Sequence, residues 1–248
     1  MLTPAFQFGI IGSFIDTINE QANILCDKFE EKDGNFDICP LIIHCMLDTI
    51  CETAMGCSVN AQQDCNSEYV KAVHNAADLL FRRTISPWLQ NDWLFSLSPT
   101  GRETIRNLKV LHNFTESVIS ERKSALDQGD EDDEGSKKVP FLDLLIKVSK
   151  GSTVLSDLEI REEVDTFMFA GHESTAQTIS FTLYLLARNF GYQRQCQEHR
   201  INIHKTGYCQ TRNEKVVTLI FYKSVKLVVD CPLLNIIWNC AAVNCHSL

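Results

Sequence analysis

The chain has 248 residues, 44% of them hydrophobic, and a formal net charge of −9. That is enough length and apolar content to bury a core, as one large domain or two small ones. Six acids fall in one run, Asp127 and Asp130, Glu131, Asp132, Asp133 and Glu134, so the acidity is largely local. With no basic stripe to neutralise phosphates, nucleic-acid binding is not expected of it.

The eleven cysteines are odd in number and contain no C-x-x-C pair, which favours reduced thiols over a disulfide scaffold. Cys39, Cys45, Cys51 and Cys57 recur every six residues, a spacing that does not hold four thiolates on one helical face, so they are expected to fill a core rather than bind metal. Residues 1–16 lack the basic start of a signal peptide. The apolar stretch 216–229 is broken by Lys223 and Lys226, so no membrane anchor is expected.

In chain order, Phe14, Ile18, Ala22, Leu25 and Phe29 predict an amphipathic helix ending near Gly34. Pro40 opens a second, over residues 41–55, apolar nearly all round and therefore expected deep inside, with Gly56 as its stop. Ser67 is a fitting N-cap for a third helix to about Ile85, striped by Val70, Val73, Ala77 and Leu80. Trp88, Trp93 and Phe95 follow, and Pro99 and Gly101 mark a turn before a long helix over about 102–126. Residues 127–139 are charged and aperiodic and read as an exposed loop without EF-hand order. A short helix is expected over 141–148.

Ser156-Asp157-Leu158-Glu159 is a capping box, and the absence of proline beyond it predicts a helix over 157–189, about 50 Å long at 1.5 Å per residue. Inside it lies Ala170-Gly171-His172-Glu173-Ser174-Thr175. Gly171 costs about 1 kcal/mol in a helix interior, and Ser174, Thr175 and Thr178 can bond back to carbonyls, so a distorted turn is expected. Ala170, Gly171 and Ser174 leave a small-residue surface for something flat, beside the acid Glu173 and the alcohol Ser174. The same small residues would also serve to let a second helix pack closely.

In its surroundings the segment becomes specific. Residues 162–176 resemble the I-helix of cytochromes P-450, with its A-G-x-[DE]-T core, and look most like the family 4 branch. Residues 1–6 look like the end of that family's C-helix, 48–60 like its E-helix and 86–89 like the stretch after its F-helix; 141–145 and 183–188 match as well. The resemblance implies a mainly α fold, a P-450 fragment from the end of the C-helix through the I-helix to the start of the J-helix, filling residues 1–199. The unrelated tail, 200–248, is expected to be disordered, and its Cys240, Cys245 and His246 lack a fourth metal ligand nearby.

The implied chemistry is that of a haem-thiolate monooxygenase, with iron activating dioxygen, NADPH electrons arriving through a reductase partner, and a fatty acid or other lipophilic substrate being hydroxylated. Carried over, Glu173 is the acid and Ser174 the alcohol of proton delivery, with Thr175 beside them, while Ala170, Gly171 and Ser174 bind the haem. Ser174 stands where threonine is usual, and Ala170 excludes the haem ester that a glutamate forms there in some relatives. The complete family member is expected on the endoplasmic reticulum membrane, and residues 88–95 are read either as a membrane-surface contact or as core aromatics. No cysteine here has the F-x-x-G-x-x-x-C-x-G surroundings of the thiolate ligand, and the only E-x-x-R, Glu103 to Arg106, lies upstream of the long helix. The chain is therefore expected to be cut at both ends, with a non-catalytic helical fragment as the competing reading.

Overall fold

A computed structural model of the protein describes residues 14–128, 139–149 and 155–205. Among these residues every regular element is helical: α1 (Ile15–Glu30), α2 (Cys39–Ile50), a π-helical turn (Cys51–Met55), α3 (Glu68–Ile85), a 3₁₀ turn (Pro87–Gln90), α4 (Asp92–Leu97), α5 (Pro99–Asp127), α6 (Phe141–Ser149), α7 (Asp157–Arg188) and α8 (Phe190–Lys205). The mainly α expectation holds. Most of the acidic loop and most of the tail lie outside the described residues; the tail's first residues, 200–205, continue α8.

Helix α2 is buried as its composition demands, with Ile42, Ile43, Cys45, Met46 and Leu47 inside. It packs most extensively against α7, and together they carry the core. One apolar cluster joins Leu47, Cys51 and Met55 to Val70, Ile119, Leu142, Ile146, Ile160 and Val164; a second joins Ile42, Ile43 and Met46 to Ala176 and Ile179. The buried faces of α3, α5 and α6 thus converge on one helix pair, an arrangement whose stability comes from apolar area removed from water. Cys45 and Cys51 are indeed core residues, and burial pushes the Cys45 thiol up to about 12.

Three details depart from the sequence reading. Helix α2 does not continue to Met55 in α geometry: it loosens into the π turn at Cys51 and is stopped by Gly56 at φ +68°, a left-handed conformation suited to glycine. Pro99 is no turn residue but the first residue of α5, where its missing N–H costs nothing, and Ser98 Oγ caps the helix by accepting from Gly101 N at 2.9 Å. Gly101 is required there, since a Cβ on it would lie 1.8 Å from the carbonyl oxygen of Phe95.

The third is Asp48, fully buried on α2, whose Oδ1 and Oδ2 accept from Ala61 N (2.6 Å) and Gln62 N (2.8 Å). Burial raises its pKa and the two backbone donors oppose that rise. A local helix pattern gives no sign of this acid, because its partners belong to a loop that returns from further along the chain.

Candidate functional site

Helix α7 begins as its sequence predicts: Glu159 N donates to Ser156 Oγ at 3.2 Å and Ser156 N donates to Glu159 Oε2 at 2.8 Å, closing the capping box. Ile160, Val164, Met168, His172 and Ala176 then form its buried stripe. His172 is 3% exposed, its Nδ1 2.7 Å from the Met168 carbonyl oxygen, and burial lowers its pKa.

At 100° per residue, Ala170 and Ser174 lie about half a turn from that stripe, in line with Phe181 and Leu185. Ala170 and Ser174 are half-buried, while Phe181 and Leu185 are 65% and 57% exposed. Glu173 sits at the edge of this strip, with Oε1 accepting from Gln177 Nε2 at 3.1 Å and Oε2 3.9 Å from His172 Nε2. Small side chains flanked by open apolar ones and edged by an acid fit a flat, largely apolar group such as haem.

Gly171 lies on the flank of that strip that meets α2. Its missing side chain makes room for α2: a Cβ there would lie 3.1 Å from Ile50 Cδ1 and 3.4 Å from Ile50 Cγ1. Thr175, one turn on, shares the Gly171 flank and is half-buried. Ala170 and Ser174 thus share one line of α7, with Glu173 on one flank and Gly171, packed against Ile50, on the other.

The expected distortion is also absent from the hydrogen-bond pattern, since α7 stays α-helical throughout residues 157–188. Ser174 Oγ donates to Ala170 O (2.6 Å), Thr178 Oγ1 to Ser174 O (2.8 Å) and Thr182 Oγ1 to Thr178 O (2.7 Å). These bonds run alongside the backbone ladder and share its carbonyls, so the turn survives them.

A cavity of about 760 Å³ opens between α3, α5 and α7, lined by Val73, Leu80, Leu108, Leu111, Met168 and Phe169 among others. It borders the buried-stripe side of α7 rather than the Ala170–Ser174 strip. At its polar margin Thr115 Oγ1 donates to Asp165 Oδ1 at 2.6 Å, and burial raises the pKa of Asp165. Sequence reasoning did not find this chamber, because its wall is assembled from helices distant in the chain.

Trp88 and Trp93 are 67% and 70% exposed, whereas Phe95 is buried beneath the Arg83 guanidinium, 4.2 Å from its ring centre. Among the described residues no helix is long and apolar enough to cross a membrane.

Comparison with known proteins agrees with the helical arrangement. The family described as Cytochrome P450 matches residues 1–205. Cytochrome P450 4c3 of Drosophila melanogaster is 44% identical over 214 residues, covering 80% of this chain and 40% of that protein. Cytochrome P450 4V2 of Mus musculus is 41% identical over 243 residues, covering 93% of this chain and 45% of that protein. The crystal structure of the cytochrome P450DA heme domain is similar with a TM-score of 0.62, covering 79% of this chain and 40% of that one, and at 24% identity it bears on the fold alone. The chain spans less than half the length of these relatives, and it belongs to the cytochrome P450 family.

Proposed function

We propose that this chain supplies the oxygen-side wall of a haem-thiolate monooxygenase that hydroxylates fatty acids or other lipophilic molecules. Haem, when bound, supplies the activation of dioxygen, with NADPH electrons delivered by a reductase partner. The observation that carries this reading is the strip on α7 where Ala170 and Ser174 face away from the core with Glu173 at their edge.

On this reading the Ala170 methyl is the surface that lets a porphyrin approach the helix. Glu173 holds a proton and hands it to Ser174 Oγ, which is free to reorient because serine lacks the β-methyl that stiffens threonine. In the resting arrangement that hydroxyl rests on Ala170 O, so a rotation about χ1 precedes transfer. Gly171 and Thr175, on the α2 flank, fix the height of α7 instead of touching the cofactor. Exposed Trp88 and Trp93 suit contact with a membrane surface, as on the endoplasmic reticulum.

The test is a chimera in which residues 1–205 replace the matched segment of a complete family 4 enzyme. The expected result is a reduced carbon-monoxide spectrum of the thiolate type and hydroxylation of a medium-chain fatty acid when a reductase and NADPH are present. A chimera that folds and takes up haem yet hydroxylates no lipophilic substrate would overturn the reading.

A further inference from the structure

We propose that Cys51 and Cys57 are a redox-sensitive dithiol that closes to an intramolecular disulfide when the protein meets a hydroperoxide. The pair is set up by the backbone distortion that ends α2. Cys51 opens the π-helical turn, Gly56 reverses the chain at φ +68°, and Cys57 N donates back to Cys51 O at 3.3 Å. The turn thus returns Cys57 to the residue from which it started, and the two side chains flank one turn closely enough for each to act on the ionisation of the other.

Their environments differ in the way such chemistry needs. Cys51 is wholly buried in the main apolar cluster, while Cys57 is half-buried at its edge and open to a small oxidant. The Arg122 guanidinium carbon stands 3.8 Å from the position a Cβ on Gly56 would take, so the Arg122–Asp143 ion pair borders this turn. The Cys51 thiol and Arg122 both favour the Cys57 thiolate, whose pKa is lowered, while burial holds Cys51 protonated. Burial, Glu121 and Glu52 oppose the lowering at Cys57, which the neighbouring Cys51 side chain outweighs.

The reaction proceeds in two balanced steps. The Cys57 thiolate attacks one peroxide oxygen, the O–O bond breaks, and the other oxygen leaves with a proton as water (or as an alcohol from an organic hydroperoxide), giving Cys57 sulfenic acid. Cys51 sulfur then attacks Cys57 sulfur, its S–H proton departs with the displaced hydroxyl as water, and the S–S bond forms. Two thiols are oxidised by two electrons and one peroxide is reduced by two. The consequence reaches α7, because Ile50, next to Cys51, is the residue that fills the gap at Gly171. The inference rests on core geometry and stands whether or not the haem reading does.

The experiment treats the full chain with stoichiometric hydrogen peroxide, alkylates the remaining free thiols and analyses the non-reduced digest by tandem mass spectrometry. The expected product is a peptide short of two hydrogens that yields no backbone fragments between residues 51 and 57, about tenfold more abundant than any other cysteine pairing and restored by dithiothreitol. In Cys57→Ser, where a hydroxyl at the half-buried position preserves the fold, that product is expected to vanish while Cys51 stays alkylatable on unfolding. Finding Cys57 driven to sulfinic acid with Cys51 still free, or Cys51 and Cys57 paired with other cysteines at comparable yield, would overturn the proposal.

Discussion

The terminal methyl of Ile50 stands 3.1 Å from where a Cβ on Gly171 would be, so the two helices at the centre of the fold meet where α7 has no side chain. The same glycine that suggests a cofactor surface in the sequence also makes this contact. Gly171→Ala is expected to change stability by no more than about 1 kcal/mol, because the gain in helix propensity offsets a shift of the flexible Ile50 tip. Gly171→Leu overpacks the crossing and should cost about 1–3 kcal/mol. Urea midpoints of the two variants check both, and a Leu variant as stable as the parent would refute the contact.

Asp48 offers a sharper loss. Asp48→Ala strands the buried Ala61 and Gln62 N–H groups and should destabilise by about 3 kcal/mol, whereas Asp48→Asn keeps one acceptor and should lose less. Because burial raises the folded pKa of Asp48 above 3.8, the folded state binds this proton more tightly than the unfolded one. Its contribution therefore makes stability fall as pH rises through the window just above 3.8, and Asp48→Asn should remove that slope in acid titrations of the unfolding midpoint.

His44 works in the opposite sense. Its Nε2 lies 3.0 Å from His74 Nε2, and burial, with His74 and Lys28 nearby, lowers its pKa from 6.5 to about 4. Between those values the unfolded chain takes a proton that folded His44 does not, so stability is present above 6.5 and drains as pH falls towards about 4. His44→Gln is expected to flatten the pH dependence of the unfolding midpoint across that window; an unchanged slope would show that His44 does not titrate as described.

Trp88 and Trp93 are expected to bring the protein to lipid. Replacing both with serine should reduce co-sedimentation with phospholipid vesicles by about tenfold, the loss expected from two partly inserted aromatic side chains. Equal sedimentation of parent and variant would assign these tryptophans no membrane role.

What the sequence made legible was local. The Ser156–Glu159 capping box, the Ser67 cap of α3, the deep burial of α2 and the uninterrupted length of α7 all follow from residues a few positions apart, and all are present. What escaped depends on residues far apart in the chain: Asp48 with the loop at 61–62, Ile50 against Gly171, and the cavity walled by α3, α5 and α7. The π turn at Cys51–Met55 escaped as well, since helical periodicity carries no mark for one extra residue in a turn. Pro99 misled because proline ends a helix or starts one, and only the Ser98 cap decides which.

On the proposed reading, Glu173 passes a proton through Ser174 on the side of α7 that would face haem. The most direct measurement is turnover per bound haem in the 1–205 chimera, parent against Glu173→Gln. The account predicts a loss of about a hundredfold in turnover with haem content and Soret position unchanged. Unchanged turnover per haem, or loss of haem in step with activity, would contradict it.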